Sequence, residues 1–551
     1  MKKKLQVLLT VMLMLLLLVA PSMTGAATAP SAATPTTAAT QLVIIHTNDT
    51  HGHPLKFNDS GVNNVGGLPA RANLVSQARS QYQNLLVLDA GDLNTGRPES
   101  NFFKAAPDIL GFNYIGYDAM VMGNHEFDND LGILDKQMTM AKFPFLSANV
   151  RRKSDGQYIG QPYIIKEFKG FKVAIFGLTT SEMRTSGNPK VVSDLIIDDE
   201  VAVAKKLVPE LRKTADVVIA LTHMGIYEDD ETGSKRLAKY VPGIDLIIDG
   251  HTHTKLTEPI YINQTPIVQD WQWGLTVGQG ILTLAPQKVK NAKGKLAPKI
   301  GVTGFTWGTV ALNQKPLGPN DEDPLLLSIL EPYGHEVDRL LDVQIGTAGG
   351  DFPNGESRKQ ETAIGDLAAD SMYWYFQNQG HPVDFALNNG GGTRADLPKG
   401  PISKKTIYAI EPFDNSVVVV TLKGADVQAL FDYIAAIPQG DGGFAQVSQG
   451  VKYTINYNIG KCENILIGDQ PLDPNKQYRI ATNSYLAGGG NGYQVFTKAV
   501  TKDDTSKFQR DVFIDYISSF GGKSIEPVIY GRITIIGSKL AQILKLLKLA
   551  A

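Results

Sequence analysis

The chain has 551 residues, a formal net charge of −2, 43% hydrophobic and 20% charged side chains, and a single cysteine, Cys462. That length holds two or three domains with full cores, and the balance excludes a disordered, collagenous or coiled-coil chain. Near-neutral charge leaves no footprint of a nucleic-acid polymer binder, and one cysteine excludes a disulfide framework or a thiolate-ligated metal.

Lys2, Lys3 and Lys4 precede an apolar run from Leu5 to Ala20, and Thr24-Gly25-Ala26 supplies a small-residue cleavage site. This order predicts a secretory signal peptide over residues 1–26 and hence an exported, envelope or extracellular protein. A retained anchor fits less well, because the run falls short of the roughly 20 residues a membrane span needs. Residues 27–40, almost all Ala, Thr, Pro and Ser, read as a flexible linker. There is no internal repeat and no second apolar stretch long enough to cross a bilayer.

Short apolar runs then recur: Leu42–His46, Leu85–Leu88, Ala119–Met122, Val173–Phe176, Val217–Leu221 and Leu246–Ile248. Separated by helix-compatible segments, they predict buried strands of a layered α/β domain over residues 41–320. Asn, Pro, Gly and Asp accumulate over Asn313–Pro324, a boundary signal. Leu326, Ile329, Leu330, Val337, Leu340 and Leu341 then repeat near helical spacing, predicting a connecting helix over residues 321–342. A second α/β domain is expected over residues 343–537, its last strand at Val528–Ile536. Residues 538–551 read as a short Leu/Lys helix packed on its own domain.

The polar tips after the strands carry the chemistry. They are Asn48-Asp49-Thr50-His51, Gly91-Asp92, Gly123-Asn124-His125-Glu126-Phe127-Asp128, Thr222-His223 and Gly250-His251-Thr252-His253. Seven of the nine histidines fall between positions 46 and 253, which scattered core histidines do not explain. Tips just past strand C-termini are where open α/β sheets place ligands. Three Asp/Asn oxygens and four imidazoles suit Zn, Mn, Co or Fe better than Ca or Mg. Seven donors exceed the needs of one site and match two ions sharing a carboxylate, an arrangement that clamps both oxygens of a phosphoryl displacement. His46, within a strand, reads as a satisfied core histidine. His53, before Pro54, is expected near the site without binding metal, or at the surface.

The order Asp-x-His, Gly-Asp, Gly-Asn-His-Glu, a lone His and Gly-His-x-His resembles the calcineurin-like metallophosphoesterases. Within them, "NDTHGH", "GNHEFD" and "DGHTH" resemble the secreted 5′-nucleotidase group, with its UDP-sugar hydrolases and 2′,3′-cyclic-nucleotide phosphodiesterases. The resemblance implies a four-layer α-β-β-α domain followed by an α/β substrate-binding domain. It assigns Asp49, His51 and His253 to one metal, Asn124, His223 and His251 to the other, and Asp92 to both. It makes His125, paired with Asp128, the group that meets the phosphate. Glu126 is left without a role in this pattern.

In the second half, Arg358-Lys359-Gln360-Glu361 with Ile364-Gly365-Asp366-Leu367 resembles the family's "RxxE…GNL" segment, and Asn389-Gly390-Gly391-Gly392-Thr393-Arg394 its "NGGxxR" loop. These imply substrate contacts from Arg358, Asn389 and Arg394, arginine being the preferred bidentate phosphate donor. Pro412-Phe413-Asp414-Asn415 resembles "PFGN", and Tyr485 to Asn491 "FxxxGGD". Phe413 and Tyr485 are thereby expected to clamp a nucleobase, with Asn415 and Asn491 in substrate contact. Three residues depart from the pattern: Asp414 for Gly, Tyr485 for Phe, and Asn491 for the Asp that holds sugar or base. Asn354 stands where some relatives carry a further Arg. The resemblance implies release of phosphate from nucleoside 5′-monophosphates and UDP-sugars by two divalent ions. The second reading is a 2′,3′-cyclic-nucleotide phosphodiesterase with 3′-nucleotidase activity. A third, of a different class, is a non-catalytic nucleotide-binding surface protein.

Overall fold

The computed structural model describes residues 39–59, 62–186, 188–290 and 296–538. The expected signal peptide and nearly all of the linker and of the Leu/Lys tail lie outside the described residues.

Two six-stranded sheets build the N-terminal part. The first runs in the order Leu296–Ala311, Thr276–Lys290, Thr40–Thr47, Leu85–Asp89, Ala119–Val121 and Phe145–Leu146. The second runs Ile260–Ile262, Thr265–Val268, Leu246–Ile248, Val217–His223, Phe171–Thr179 and Tyr163–Phe168. Each of the six apolar runs read from the sequence is a strand.

Alternation explains why the runs are continuously apolar. Leu42, Ile44, Leu86 and Leu88 face Val173, Ile175, Val217 and Ile219 between the sheets. Their neighbours Ile45 and Val87 point the other way, onto Leu68, Val75, Ile109 and Phe112 of the outer helices. On the far side Phe176, Val218 and Ala220 meet Val201, Ala204 and Val208 of the helix Glu200–Thr214. With both faces of each strand buried, the chain forms an α-β-β-α sandwich.

The helix Pro324–Leu341 follows, N-capped by Asp323, whose side chain accepts the Leu326 N–H. Beyond it a five-stranded sheet, ordered Ala445–Val447, Phe385–Asn389, Gln477–Asn483, Ser416–Lys423 and Thr501–Phe508, forms the second α/β core. Helices Ala363–Asn378 and Gln509–Ser519 pack on one face, and Gly424–Ala436 on the other. Cys462 is buried against this core, and its thiol is pushed up to about 12 by burial and then by Asp432.

One expectation fails here. The last strand is Ile533–Ile536, not Val528–Ile536. Val528, Ile529 and Tyr530 are exposed, and Gly531 has φ +69°, which breaks the extended run before it can pair.

Candidate active site

The five polar tips converge at the C-terminal ends of both sheets. His51 Nε2 lies 3.9 Å from Asp49 Oδ1, 3.7 Å from Asp92 Oδ2 and 3.1 Å from His253 Nε2, while His253 Nε2 lies 3.3 Å from Asp49 Oδ1. On the other side of Asp92, His223 Nε2 is 3.0 Å from Asp92 Oδ2, and His251 Nδ1 is 2.8 Å from Asn124 Oδ1. Asp49–His51–His253 and Asp92–His223–His251 are each compact enough to hold an ion. So is a third group, His51–Asp92–His125.

Glycines make this convergence possible. A Cβ on Gly123 would come within 2.1 Å of Asp92 Oδ1, and one on Gly250 within 2.8 Å of His223 Nδ1. The side chains are also held by an unusual backbone. Asp49, His51, Asp92, His251 and His253 all have positive φ, between 44° and 83°. Non-glycine residues pay for that conformation and retain it mainly at functional sites.

Each imidazole has one nitrogen fixed from outside. His51 Nδ1 faces the carbonyls of Asn94 and Thr95 at 3.2 and 3.0 Å, and His223 Nδ1 faces that of Ala90 at 2.7 Å. His253 Nδ1 meets Gln272 Oε1. His251 Nε2 lies 3.2 Å from Glu182 Oε2, which also accepts the Tyr227 hydroxyl at 2.7 Å. The remaining nitrogens, Nε2 of three rings and Nδ1 of His251, are left to face inward, as in sites where outer acceptors fix the tautomer of metal-binding histidines.

The fit to metal can be tested on the atoms themselves. His223 Nε2 is fully buried and lies 3.0 Å from Asp92 Oδ2. Burial opposes a charge on His223, yet Asp92 and Asp49 drive its pKa up to about 10. The two carboxylates therefore make this pocket attract positive charge, a demand that a bound cation would also meet.

Behind the cluster, the buried Glu126 carboxylate accepts four backbone amides: Gly123 at 2.7 Å, Asp92 at 3.0 Å, Leu93 at 2.9 Å and Asn94 at 3.1 Å. It ties the Asp92 loop to the Asn124 loop, a role the motif comparison misses. His125 Nδ1 lies 2.7 Å from Asp128 Oδ2, which also accepts the Thr95 hydroxyl at 2.6 Å. Its Nε2 is 3.9 Å from Asp92. Burial works against the charged ring, but Asp128 and Asp92 outweigh it and raise the pKa.

A cleft of about 980 Å³ opens over the cluster. Its lining brings together Asp92, Asn124, His125, Asp128, His251 and His253 with Arg358, Asn389, Arg394, Phe413, Asn415, Tyr485 and Asn491. Asp49, His51 and His223 lie buried beneath. Arg394 reaches across to 3.3 Å from His51 Nε2, and its guanidinium sits 5.9 Å from the Phe413 ring. Phe413 in turn lies 5.9 Å from the His125 ring, centroid to centroid. Burial and then the neighbouring Arg358 bring the Arg394 pKa down to about 10, against the opposing pull of Asp92, Asp128 and Asp49.

The residues that depart from the motif have local partners. Asp414 joins Arg510 at 2.6 Å and Lys104 at 3.0 Å. The Tyr485 hydroxyl accepts the Asn491 N–H at 3.0 Å. Asn354 braces the arginine loop, donating to the Thr393 carbonyl at 3.0 Å and accepting the Thr393 hydroxyl at 2.8 Å.

Of the two other histidines between positions 46 and 253, His46 is buried, accepts the Trp307 indole N–H at 2.8 Å and is held neutral, its pKa brought down to about 3 by burial. His53 is not a surface residue: it is buried, stacked 5.1 Å from Trp273 and tilted 4.4 Å from Phe57.

A four-layer sandwich with adjacent His/Asp clusters at its strand ends is the architecture of a metallophosphoesterase. The profile described as calcineurin-like phosphoesterase matches residues 42–255, and that of the 5′-nucleotidase C-terminal domain residues 344–498. Protein UshA of Yersinia enterocolitica is 33% identical over 511 residues, 86% of this chain and 90% of the relative. The 5′-nucleotidase of Vibrio cholerae is 32% identical over 90% of this chain and 94% of its own length. The crystal structure of a 5′-nucleotidase precursor from Thermus thermophilus, 30% identical, covers 91% of this chain and 100% of its own with a TM-score of 0.78. The chain belongs to the 5′-nucleotidase family, metal-dependent phosphomonoester hydrolases whose members use two divalent ions. Among the described residues no helix is long and apolar enough to cross a membrane.

Proposed function

We propose that the chain is an exported phosphohydrolase that releases phosphate from nucleoside 5′-monophosphates, with UDP-sugars as further substrates. One observation carries this reading: the His/Asp clusters around Asp92 form one wall of a cleft whose other wall presents two arginines and two aromatic rings. A phosphate between those walls would meet cations from both sides while its nucleoside reaches the rings.

In this proposal Asp49, His51 and His253 hold one ion, Asn124, His223 and His251 the other, and Asp92 bridges them. When bound, the ions neutralise phosphoryl charge and acidify the attacking water. Arg358 and Arg394, with Asn389, grip the phosphate oxygens, a task suited to planar guanidinium forks. His125 keeps its Nδ1 proton on Asp128 and turns Nε2 to the phosphate, where the protonated ring stabilises charge on the departing oxygen. Phe413 and Tyr485 stack on the base, and Asn415 and Asn491 add amide contacts. The pattern of residues 1–26 supports export, and the helix Pro324–Leu341 is the pivot between a catalytic part over 41–320 and a binding part over 343–537.

The test is phosphate release from 5′-, 3′- and 2′,3′-cyclic nucleotides and UDP-glucose by metal-stripped protein refilled with Zn, Mn, Co or Fe. Fast turnover of 5′-monophosphates, restored by metal, supports the proposal. Turnover confined to cyclic and 3′-nucleotides moves it to a cyclic phosphodiesterase. Nucleotide binding without turnover moves it to a non-catalytic binding protein.

A further inference from the structure

Besides Asp504, five acidic residues line the cleft, and they differ in how their charge is engaged. Asp92 faces His223 at 3.0 Å, Asp128 faces His125 at 2.7 Å, Glu182 faces His251 at 3.2 Å and Asp414 faces Lys104 at 3.0 Å. Asp441 also lines the cleft, is exposed, and makes no ion pair among the described residues. Its Oδ1 accepts the Gly443 N–H at 2.6 Å, which fixes the side chain and leaves Oδ2 for another donor.

Its place in the cleft says which donor. The Asp441 loop is tied to the arginine end, for Gly440 N–H donates to the Arg358 carbonyl and Gly391 N–H to that of Gly442, both at 2.8 Å. It also touches the aromatic end through Asn491. A Cβ on Gly443 would lie 3.0 Å from both Asp441 Oδ1 and the Asn491 side chain, and the Asn491 backbone N–H donates to Tyr485 Oη. The Asn491 side-chain oxygen is already used, accepting from Asn389 Nδ2 at 3.2 Å, so its amide N–H groups remain to donate. The same placement shows in the fields of the carboxylate. Burial and then Asp441 raise the Tyr433 pKa, while Asp441 opposes the lowering that burial imposes on Arg358. Between a phosphate grip and a base-stacking wall sits the sugar. A free acceptor beside a free amide donor complements a pair of hydroxyl groups, each of which can give one hydrogen bond and take another.

We propose that Asp441 reads the sugar of the substrate, accepting a hydrogen bond from one hydroxyl of a ribose diol and so favouring ribonucleotides over their deoxy counterparts. This rests on the nucleotide reading above. A hydrogen bond to a charged acceptor in a partly open cleft sets the expected preference at about 10- to 100-fold.

The test compares kcat/KM for AMP, 2′-deoxy-AMP, 3′-deoxy-AMP and IMP in the wild type, Asp441→Ala and Asp441→Asn, with thermal midpoints recorded for each. The wild type should prefer AMP to at least one deoxy analogue by about tenfold or more. Asp441→Ala should bring that preference to within about twofold by losing activity on AMP and not on the analogue. Asp441→Asn, which keeps an oxygen for Gly443 and a polar group for the sugar, should retain part of it and covers the case in which the alanine variant is unstable. Equal losses on AMP and both deoxy analogues would make Asp441 a support of its loop and overturn the proposal. So would an unchanged preference, or a changed AMP-to-IMP ratio with the sugar preference intact, which would point to the base. A wild type that releases no phosphate from AMP or its analogues overturns the nucleotide reading as well, and shows it before any variant is made.

Discussion

Glu126→Gln tests how the site is held open for its ions. The Glu126 oxygens divide four backbone donors between them: Oε1 takes Leu93 and Asn94, and Oε2 takes Gly123 and Asp92. An amide keeps one oxygen and turns an NH₂ group toward the other two donors. Two buried amides then lose their acceptor at about 1–3 kcal/mol each, roughly 2–6 kcal/mol in all. The Asp92 loop can escape part of that cost by moving, and movement displaces the Asp92 carboxylate, proposed to serve both ions. The variant should therefore unfold at a lower temperature and hold fewer ions than the wild type, with activity falling alongside metal content. Calorimetry and metal analysis on the same preparation read both effects. A variant with wild-type thermal midpoint and two bound ions would show that the loop is held by its other contacts, and the reasoning would fail.

Asp92→Asn should lower bound metal and abolish turnover while circular dichroism stays native; two retained ions with near-normal activity would rule out a shared ligand. His125→Ala should keep its metal and lose about 10²–10⁴ in kcat, whereas loss of metal would mean that the His51–Asp92–His125 group is the one that binds. The double variant Phe413→Ala, Tyr485→Ala should lose at least about tenfold in kcat/KM on AMP and little on p-nitrophenyl phosphate, since stacking is worth about 1–3 kcal/mol per base; equal losses on both would refute the base clamp. Glu411 is buried, accepts the Asn388 amide at 3.2 Å and is pushed up to about 8, chiefly by burial. A carboxyl raised in the fold stabilises it fully below its unfolded value near 4.5 and loses that contribution as pH rises through 8. Glu411→Gln should remove up to about 3 kcal/mol of that decline between pH 5 and 8, measured as the pH dependence of thermal unfolding, and an unchanged slope would refute it.

What the sequence made legible follows from local physics. The sandwich strands are buried on both faces, so Leu42–His46 and Val217–Leu221 read as unbroken apolar runs, and the residues after them are fixed at strand ends. Glu126 was harder to place because its donors Asp92, Leu93 and Asn94 lie 32–34 residues away and offer amides, not side chains. Gln272 and Glu182 carried no signal at all. Each is a lone polar residue in a loop, and only folding brings it to His253 or His251. The long hairpin of Thr276–Lys290 with Leu296–Ala311 went unread because glycines and prolines interrupt its alternation. His53 looked free before Pro54, yet packing against Trp273, 220 residues on, buries it.

The geometry also argues for how chemistry and recognition are coupled. All seven proposed metal-holding residues come from the N-terminal strand ends, so the ions need nothing from the second half of the chain. The phosphate does. Arg394, from the second half, stands 3.3 Å from His51, and Phe413 stands 5.9 Å from His125. In the proposed reaction, a phosphate held by the metal side alone would keep the charge of its outer oxygens, and one held by the arginines alone would be out of reach of the attacking water. Only when Arg394 lies against His51 do both conditions hold. The ion pairs that span the same seam, Lys104 with Asp414 and Lys405 with Glu99, lie at the cleft edge and inside the interface respectively. The first is too exposed to hold the walls together on its own. In the proposed reaction, the substrate's phosphate, shared between the arginines and the metal-holding wall, would add a further link across this seam.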